Sequence, residues 1–155
     1  MKAGCVILIG LPAAGKTSFY RERFAATHLH VSKDLWPNAT GRSARQEKLI
    51  ADSLAASRSL VIDNTNPTRA ERATIIRLAR KHDASVIGYF FDVPTRAAVA
   101  RNAERTGRGK VPNVAIFTTA KRLQPPTLEE GFDELFRVTI AADRSLKIER
   151  IAECA

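Results

Sequence analysis

Apolar residues in this chain follow two rhythms. Some fall in short, nearly continuous runs, and between these runs they recur at the spacing of one helix face. Cys5-Val6-Ile7-Leu8-Ile9 is continuous, the pattern of a strand buried on both faces. Phe19, Tyr20, Arg23 and Phe24 follow at helical spacing and predict a helix opening near Lys16. Residues 29–32 read as a short second strand. Residues 43–57 read as a helix capped by Ser43, with Leu49, Ile50, Leu54 and Ala55 as its apolar face. Leu60-Val61-Ile62-Asp63 is a third buried strand, ending in a carboxylate. Asn66 reads as a helix N-cap and Pro67 as the first helical residue. That helix runs to about His82, with Ala73, Ile76 and Ala79 as its apolar positions. Residues 86–91 are the fourth strand and 95–104 the next helix. Gly107 and Gly109 break that helix, residues 112–123 form another, and 125–132 are a turn-rich connection. Residues 135–140 are the fifth strand, and the alternation over 146–151 predicts a hairpin partner for it.

Strands alternating with helices imply an α/β fold. The expected architecture is a central, mainly parallel five-stranded sheet flanked by helices on both faces, with a C-terminal hairpin strand. No repeat, low-complexity tract or linker interrupts the chain, so one domain over residues 1–155 is expected. Ligands of such sheets bind beyond the carboxyl ends of the strands. That rule brings the turn after the first strand, Asp34 and Asp63 to one rim.

The turn after the first strand carries chemistry. Gly10-Leu11-Pro12-Ala13-Ala14-Gly15-Lys16-Thr17 fits Gly-x4-Gly-Lys-[Ser/Thr], the phosphate-binding loop, in the strand-loop-helix context it requires. Glycine permits positive φ and close approach of backbone to ligand. The loop N–H groups form an anion nest, and the following helix adds the positive end of its dipole. Gly10, Pro12, Ala13, Ala14, Gly15, Lys16, Thr17 and Ser18 are therefore the candidate nucleotide contacts. Lys16 is expected to reach the β- and γ-phosphates, and the Thr17 hydroxyl to hold Mg²⁺.

Composition narrows the setting. The chain has 155 residues, enough for a sizeable core, and a net charge of +9 with a pI near 10.2. Such a balance favours polyanionic partners, although charge alone does not separate DNA, RNA and an anionic membrane surface. The two cysteines, Cys5 and Cys154, make no disulfide framework, so a reducing cytoplasmic setting is expected. The first apolar run is too short to span a membrane and leads into the phosphate loop, so no membrane partner is expected. His28 and His30 share one strand face, but with no Cys or further His nearby they are not read as a metal site.

Phosphoryl transfer needs a cradle, a metal, a group that orients the acceptor, and positive charge around the moving phosphoryl. Asp34 is the candidate for the acceptor-orienting carboxylate. Asp63 ends a buried strand downstream of a phosphate loop, which suggests the Mg²⁺-side acid. Arg101 and Arg105, at i and i+4, share one helix face and invite an anion between them. They open a candidate lid over residues 101–112 that also holds Arg108 and Lys110. Arg69 and Arg72 could hold a phosphodiester; Arg42, Arg45, Lys121 and Arg122 are more loosely placed. Trp36 could stack a base or serve in packing.

These residues resemble a family. Gly10-Leu11-Pro12-x-x-Gly15-Lys16-Thr17, then Ser32-Lys33-Asp34, then Ile62-Asp63-Asn64-Thr65-Asn66-Pro67 are similar to the kinase domain of polynucleotide kinase/phosphatases. Ala100-Arg101-x-x-x-Arg105 and Pro125-Pro126-Thr127-Leu128-Glu129-Glu130-Gly131-Phe132 are similar too, so the resemblance covers about residues 5–140. It implies a P-loop kinase fold and transfer of the γ-phosphate of ATP, with Mg²⁺, to a 5′-hydroxyl end of DNA or RNA. It implies that Lys16 and Thr17 serve phosphate and Mg²⁺, that Asp34 is the general base, and that Arg105 is the lid arginine with Arg101 assisting. Asp63 is then expected near the acceptor, in preference to a water-mediated Mg²⁺ contact. Two departures stand out: Lys33 precedes the base where family members often carry Arg, and Leu35-Trp36-Pro37 follows it where phage members carry a substrate-binding Arg. No phosphatase or ligase module is expected in this length, so such activities would come from separate partners. Two alternatives use the same architecture: a small-metabolite or nucleoside kinase, and a nucleotide-dependent nucleic-acid-binding protein without transferase activity.

Overall fold

β1 (Gly4–Ile9) sits at the centre of the sheet because its side chains alternate between two separate apolar layers. Cys5, Ile7 and Ile9 enter one layer; Val6 and Leu8 enter the other. The computed structural model describes residues 2–152, and Cys154 lies outside the described residues. β1 pairs in parallel with β3 (Leu60–Asp63) on one side and β4 (Ser85–Phe91) on the other. β2 (Leu29–Val31) lies beyond β3, and β5 (Glu134–Ile140) beyond β4. β6 (Leu146–Arg150) runs antiparallel to β5 as the expected hairpin. The sheet order is therefore β2-β3-β1-β4-β5-β6.

Helices cover both faces. α2 (Arg42–Ala55) and α3 (Arg69–Lys81) place Ile50, Leu54, Ile75, Ile76 and Ala79 on the Cys5 side. α1 (Lys16–Arg23), α4 (Thr95–Ala103) and α5 (Asn113–Arg122) place Phe19, Tyr20, Ala98 and Ile116 on the Val6 side. Cys5 is packing: burial pushes its thiol up to about 12. Among the described residues no helix is long and apolar enough to cross a membrane.

Local readings fail where tertiary contacts override them. Asn66 does not cap α3. It takes φ 44° and turns its Nδ2 inward to donate to the Leu8 carbonyl at 2.7 Å. Thr68 caps instead, accepting from the Glu71 N–H at 3.2 Å, and Pro67 lies outside the helix. α2 begins at Arg42 after Gly41 in the left-handed conformation, so Ser43 does not cap it. The inward face of α3 is Arg72, Ile75, Ile76 and Ala79, with Ala73 exposed; on α2, Ala55 is exposed and Ser53 is buried.

Candidate active site

The phosphate loop is shaped by backbone geometry. Gly10 has φ 154°, and a Cβ there would stand 2.9 Å from Phe91 Cβ and 3.0 Å from its carbonyl oxygen. Ala13 (φ 65°) and Gly15 (φ 99°) supply the other left-handed positions. The Gly10 N–H donates to the Thr65 carbonyl at 3.0 Å, which ties the loop to the segment after β3. No side chain caps α1, so its first-turn N–H groups are left facing an anion site.

Lys16 is the electrostatic centre. It is buried, and its Nζ folds back to donate to the carbonyls of Gly10 (2.9 Å) and Leu11 (2.5 Å). Burial lowers its pKa from 10.5 to about 8; Arg105 adds to that shift, while Asp63 and Asp34 oppose it. Three sequence-distant acids and bases thus act on one ammonium, as the strand-end rule requires.

The carboxylate of Asp63 is buried behind Thr17. Its Oδ2 accepts the Thr17 hydroxyl at 2.8 Å and is 2.8 Å from His30 Nε2. This geometry joins Asp63 to the phosphate loop through Thr17, at the edge of the cleft that Asp63 also lines. The oxygen donors of Thr17 and Asp63 suit Mg²⁺, which binds few protein ligands and keeps phosphate and water oxygens for the rest. No group of three His, Cys, Asp or Glu able to cage a metal occurs among the described residues.

Asp34 stands on the 3₁₀ turn Lys33–Leu35, capped by Ser32, whose hydroxyl accepts from the Asp34 N–H at 3.2 Å. Asn64 fixes that turn. Its Oδ1 accepts the Lys33 N–H at 2.9 Å, and its Nδ2 donates to Gln46 Oε1 at 2.6 Å. The Asp34 side chain is exposed to the cleft and joins no ion pair among the described residues. Trp36 packs under the Arg45 guanidinium, 4.4 Å from its ring centroid.

The lid arginines divide. Arg101 Nε donates to the Ala13 carbonyl at 2.9 Å, so it is fastened to the phosphate loop. Arg105 lines the cleft, with Nη1 donating to the Gly109 carbonyl at 2.9 Å. Burial and then Arg101 hold the Arg105 guanidinium below its usual range, against the pull of Asp63. Asn102, buried, pins the far end of the lid through both atoms of its amide to the Val111 backbone, at 2.6 and 3.0 Å. The side chain of Arg108 lies outside the described set.

Neither Arg69 nor Arg72 lines the cleft. Arg72 is fully buried and its guanidinium is spent on protein: Glu130 Oε1 and Oε2 at 2.8 and 3.1 Å, the Asn66 carbonyl at 2.9 Å and the Gln124 carbonyl at 2.8 Å. Four of its five N–H donors are engaged in these bonds, and its side chain is buried away from the cleft. Arg69 is exposed at the start of α3 and does not line the cleft. Sequence reasoning in turn missed Asn64, Gln46, Asn102 and the contact of His30 with Asp63. For Asn64 the local signal was a polar residue beside a buried strand end; Gln46 and Asn102, inside helices, gave none.

The cleft that results has a volume of about 1080 Å³. Among the described residues its lining carries six cations (Lys16, Arg21, Lys33, Arg42, Arg105, Arg122) and five carboxylates (Asp34, Glu47, Asp63, Glu71, Glu104). Most of the chain's +9 therefore lies elsewhere on the surface.

The chain is similar to several known proteins. A bifunctional polynucleotide phosphatase/kinase of Schizosaccharomyces pombe is 26% identical over 146 residues, covering 86% of this chain and 33% of that protein. The L-seryl-tRNA(Sec) kinase of Methanococcus maripaludis is 24% identical over 143 residues, covering 83% of this chain and 55% of that protein. The chain thus spans a third to about half of these relatives. Among solved structures, the AvrRxo1-ORF1:AvrRxo1-ORF2 complex with sulphate ions superposes with a TM-score of 0.74 at 16% identity, covering 98% of this chain and 61% of that one. The fold is that of P-loop kinases. The model of the AAA_33 family, an AAA domain, matches residues 5–126, and the chain belongs to that family.

Proposed function

We propose that this chain is an ATP-dependent kinase that phosphorylates the 5′-hydroxyl ends of DNA or RNA. The observation that carries the reading is that one cleft holds both a built phosphate loop and an unpaired carboxylate, Asp34, on a turn fixed by Asn64. Similarity to a polynucleotide phosphatase/kinase over most of the chain supports the polynucleotide acceptor.

Each residue has a proposed task. The loop residues Gly10, Pro12, Ala13, Ala14, Gly15, Lys16, Thr17 and Ser18 bind the nucleotide phosphates. Lys16 leaves the Gly10 and Leu11 carbonyls and donates to the β- and γ-phosphates. Thr17, with Asp63 behind it, would hold Mg²⁺, which would supply charge neutralisation to the nucleotide phosphates. Asp34 accepts a hydrogen bond from the attacking 5′-hydroxyl and aligns it with the γ-phosphorus, taking its proton as the bond forms. General-base assistance of this kind is worth about 10²–10⁴-fold. Arg105 neutralises the transferring phosphoryl, and Arg101 holds the lid, about residues 101–112, against the phosphate loop.

The test is transfer from γ-labelled ATP to matched 5′-hydroxyl and 5′-phosphate oligonucleotides, DNA and RNA. Label confined to 5′-hydroxyl strands is expected. Nucleotide binding without label on any strand would move the acceptor to another class.

A second reading rests on one observation, the near-balance of charge in the cleft lining. A small, uncharged hydroxyl acceptor would suit it. Acceptor KM that ignores salt would favour that reading, since binding through several phosphates weakens steeply with salt.

A further inference from the structure

We infer that His30 is a positioning residue of the metal side, holding Asp63 on Thr17 and off Lys16. The inference rests on the metal-side assignment of Thr17 and Asp63 above. It starts from one oxygen. Asp63 Oδ2 is the point where the Thr17 hydroxyl (2.8 Å) and His30 Nε2 (2.8 Å) both end. A carboxylate oxygen only accepts, so both neighbours donate to it. The Thr17 proton is thereby turned toward Asp63, and the Thr17 lone pairs are turned away from it, toward the space a cation needs.

Asp63 has a competing partner. It is a leading source of the negative field on Lys16, whose buried ammonium donates to two backbone carbonyls. A carboxylate free to swing would be drawn to that ammonium. It would then cancel the charge meant for the nucleotide and release the Thr17 proton from its fixed direction. Two donors on Oδ2 oppose the swing, and His30 is the one that is not itself a ligand.

His30 is held for this task. It lies on β2, next to β3, with its ring stacked on Tyr20 at 4.2 Å between centroids and 25° between planes. The Tyr20 hydroxyl donates to the His28 carbonyl at 2.8 Å, which locks the platform to the start of the same strand. Its side chain is 26% exposed, so packing alone does not demand an imidazole here.

Two variants separate packing from positioning. H30F keeps a ring on Tyr20 and loses the donor; H30Q loses the ring and keeps a donor at the place of Nε2. The readout is calorimetric affinity for ATP with and without Mg²⁺, which does not depend on the acceptor. Wild-type protein is expected to bind Mg·ATP more tightly than metal-free ATP. H30F is expected to lose about tenfold or more of that metal-dependent gain, as loss of an outer-shell partner does. Its metal-free ATP affinity should fall by less than its Mg·ATP affinity, its melting temperature should stay close to wild type, and H30Q should recover most of both losses. An H30F protein with the full Mg²⁺ gain would overturn the inference. Wild-type protein that shows no gain would remove the metal-side assignment, and the inference with it.

Discussion

Arg72 on α3 and Glu130 in the 125–132 connection meet as a buried two-pronged ion pair, Nε to Oε1 at 2.8 Å and Nη2 to Oε2 at 3.1 Å. The pair is a hub more than a bridge. Arg72 also holds the carbonyls of Asn66 and Gln124, and Glu130 Oε2 also accepts the Thr127 N–H at 2.8 Å. Asn66 in turn reaches the Leu8 carbonyl in β1, one residue before the strand's end. A line of polar contacts therefore runs from the C-terminal connection to the base of the phosphate loop.

Breaking this hub should cost the whole fold. Removing one partner of a buried pair leaves the other uncompensated, at about 3–5 kcal/mol. For R72M, at about 2–4 °C per kcal/mol in a chain of this size, that is a fall in Tm of about 10 °C. The double variant R72M/E130M should recover only part, because the carbonyls of Asn66 and Gln124 still lack their donor. R69A, changed at an exposed position, should melt near wild type. Urea denaturation of the four proteins decides it, and an R72M protein as stable as R69A would remove Arg72 from the core.

What was legible in the sequence follows from how local the cause is. The strands were legible because continuous apolar runs need no partner to be recognised, and the phosphate loop because its glycines and Lys16 act within eight residues. Arg72 was not: an arginine among apolar helical positions reads as solvated or phosphate-binding until Glu130, 58 positions away, is folded against it. Asn66 failed for the same reason, since its cap propensity lost to a carbonyl 58 positions back. Total charge was legible, but its placement was not, and the cleft turned out nearly balanced.

Asp34 should be separable from folding and from nucleotide binding. Its carboxylate is exposed and unpaired among the described residues, so D34N should change Tm by little. Loss of a general base predicts a fall in kcat of about 10²–10⁴-fold with ATP affinity kept. Single-turnover transfer and equilibrium ATP binding on the same preparation check both halves. Undiminished transfer would take Asp34 out of the mechanism.

Lys16 makes stability and ligand binding depend on pH in a defined window. Its folded pKa is lowered from 10.5 to about 8, so between those values the unfolded chain binds more protons. Stability should therefore rise as pH climbs through that window, while below pH 8 the buried ammonium is a full cost. At about 1.4 kcal/mol per pH unit the relief sums to about 3 kcal/mol. K16M should be more stable than wild type at pH 7 and lose this slope. Bound phosphates favour the charged lysine, so ATP binding near pH 8.5 should take up a proton. Calorimetry in buffers of different ionisation enthalpy measures that uptake, and equal uptake by K16M would assign it elsewhere.

The acceptor's grip can be read from salt. If the chain's surplus charge served as a phosphate track, several contacts would each add about −0.7 to the slope of log K against log salt for a single strand. The cleft lining, with six cations against five carboxylates, offers little net charge for such a track. The expected slope for a 5′-hydroxyl oligonucleotide is therefore shallow, about −0.7 to −1.4, the value for one or two phosphates held near the reacting end. It should not steepen as the strand is lengthened beyond a few nucleotides. KM for the acceptor at a series of salt concentrations, with ATP saturating, gives this number. A steep slope that grows with strand length would place the acceptor along the basic surface outside the cleft. Charge reversals there, at exposed Arg69 and Lys121 among others, would then lower affinity where reversals inside the cleft would not.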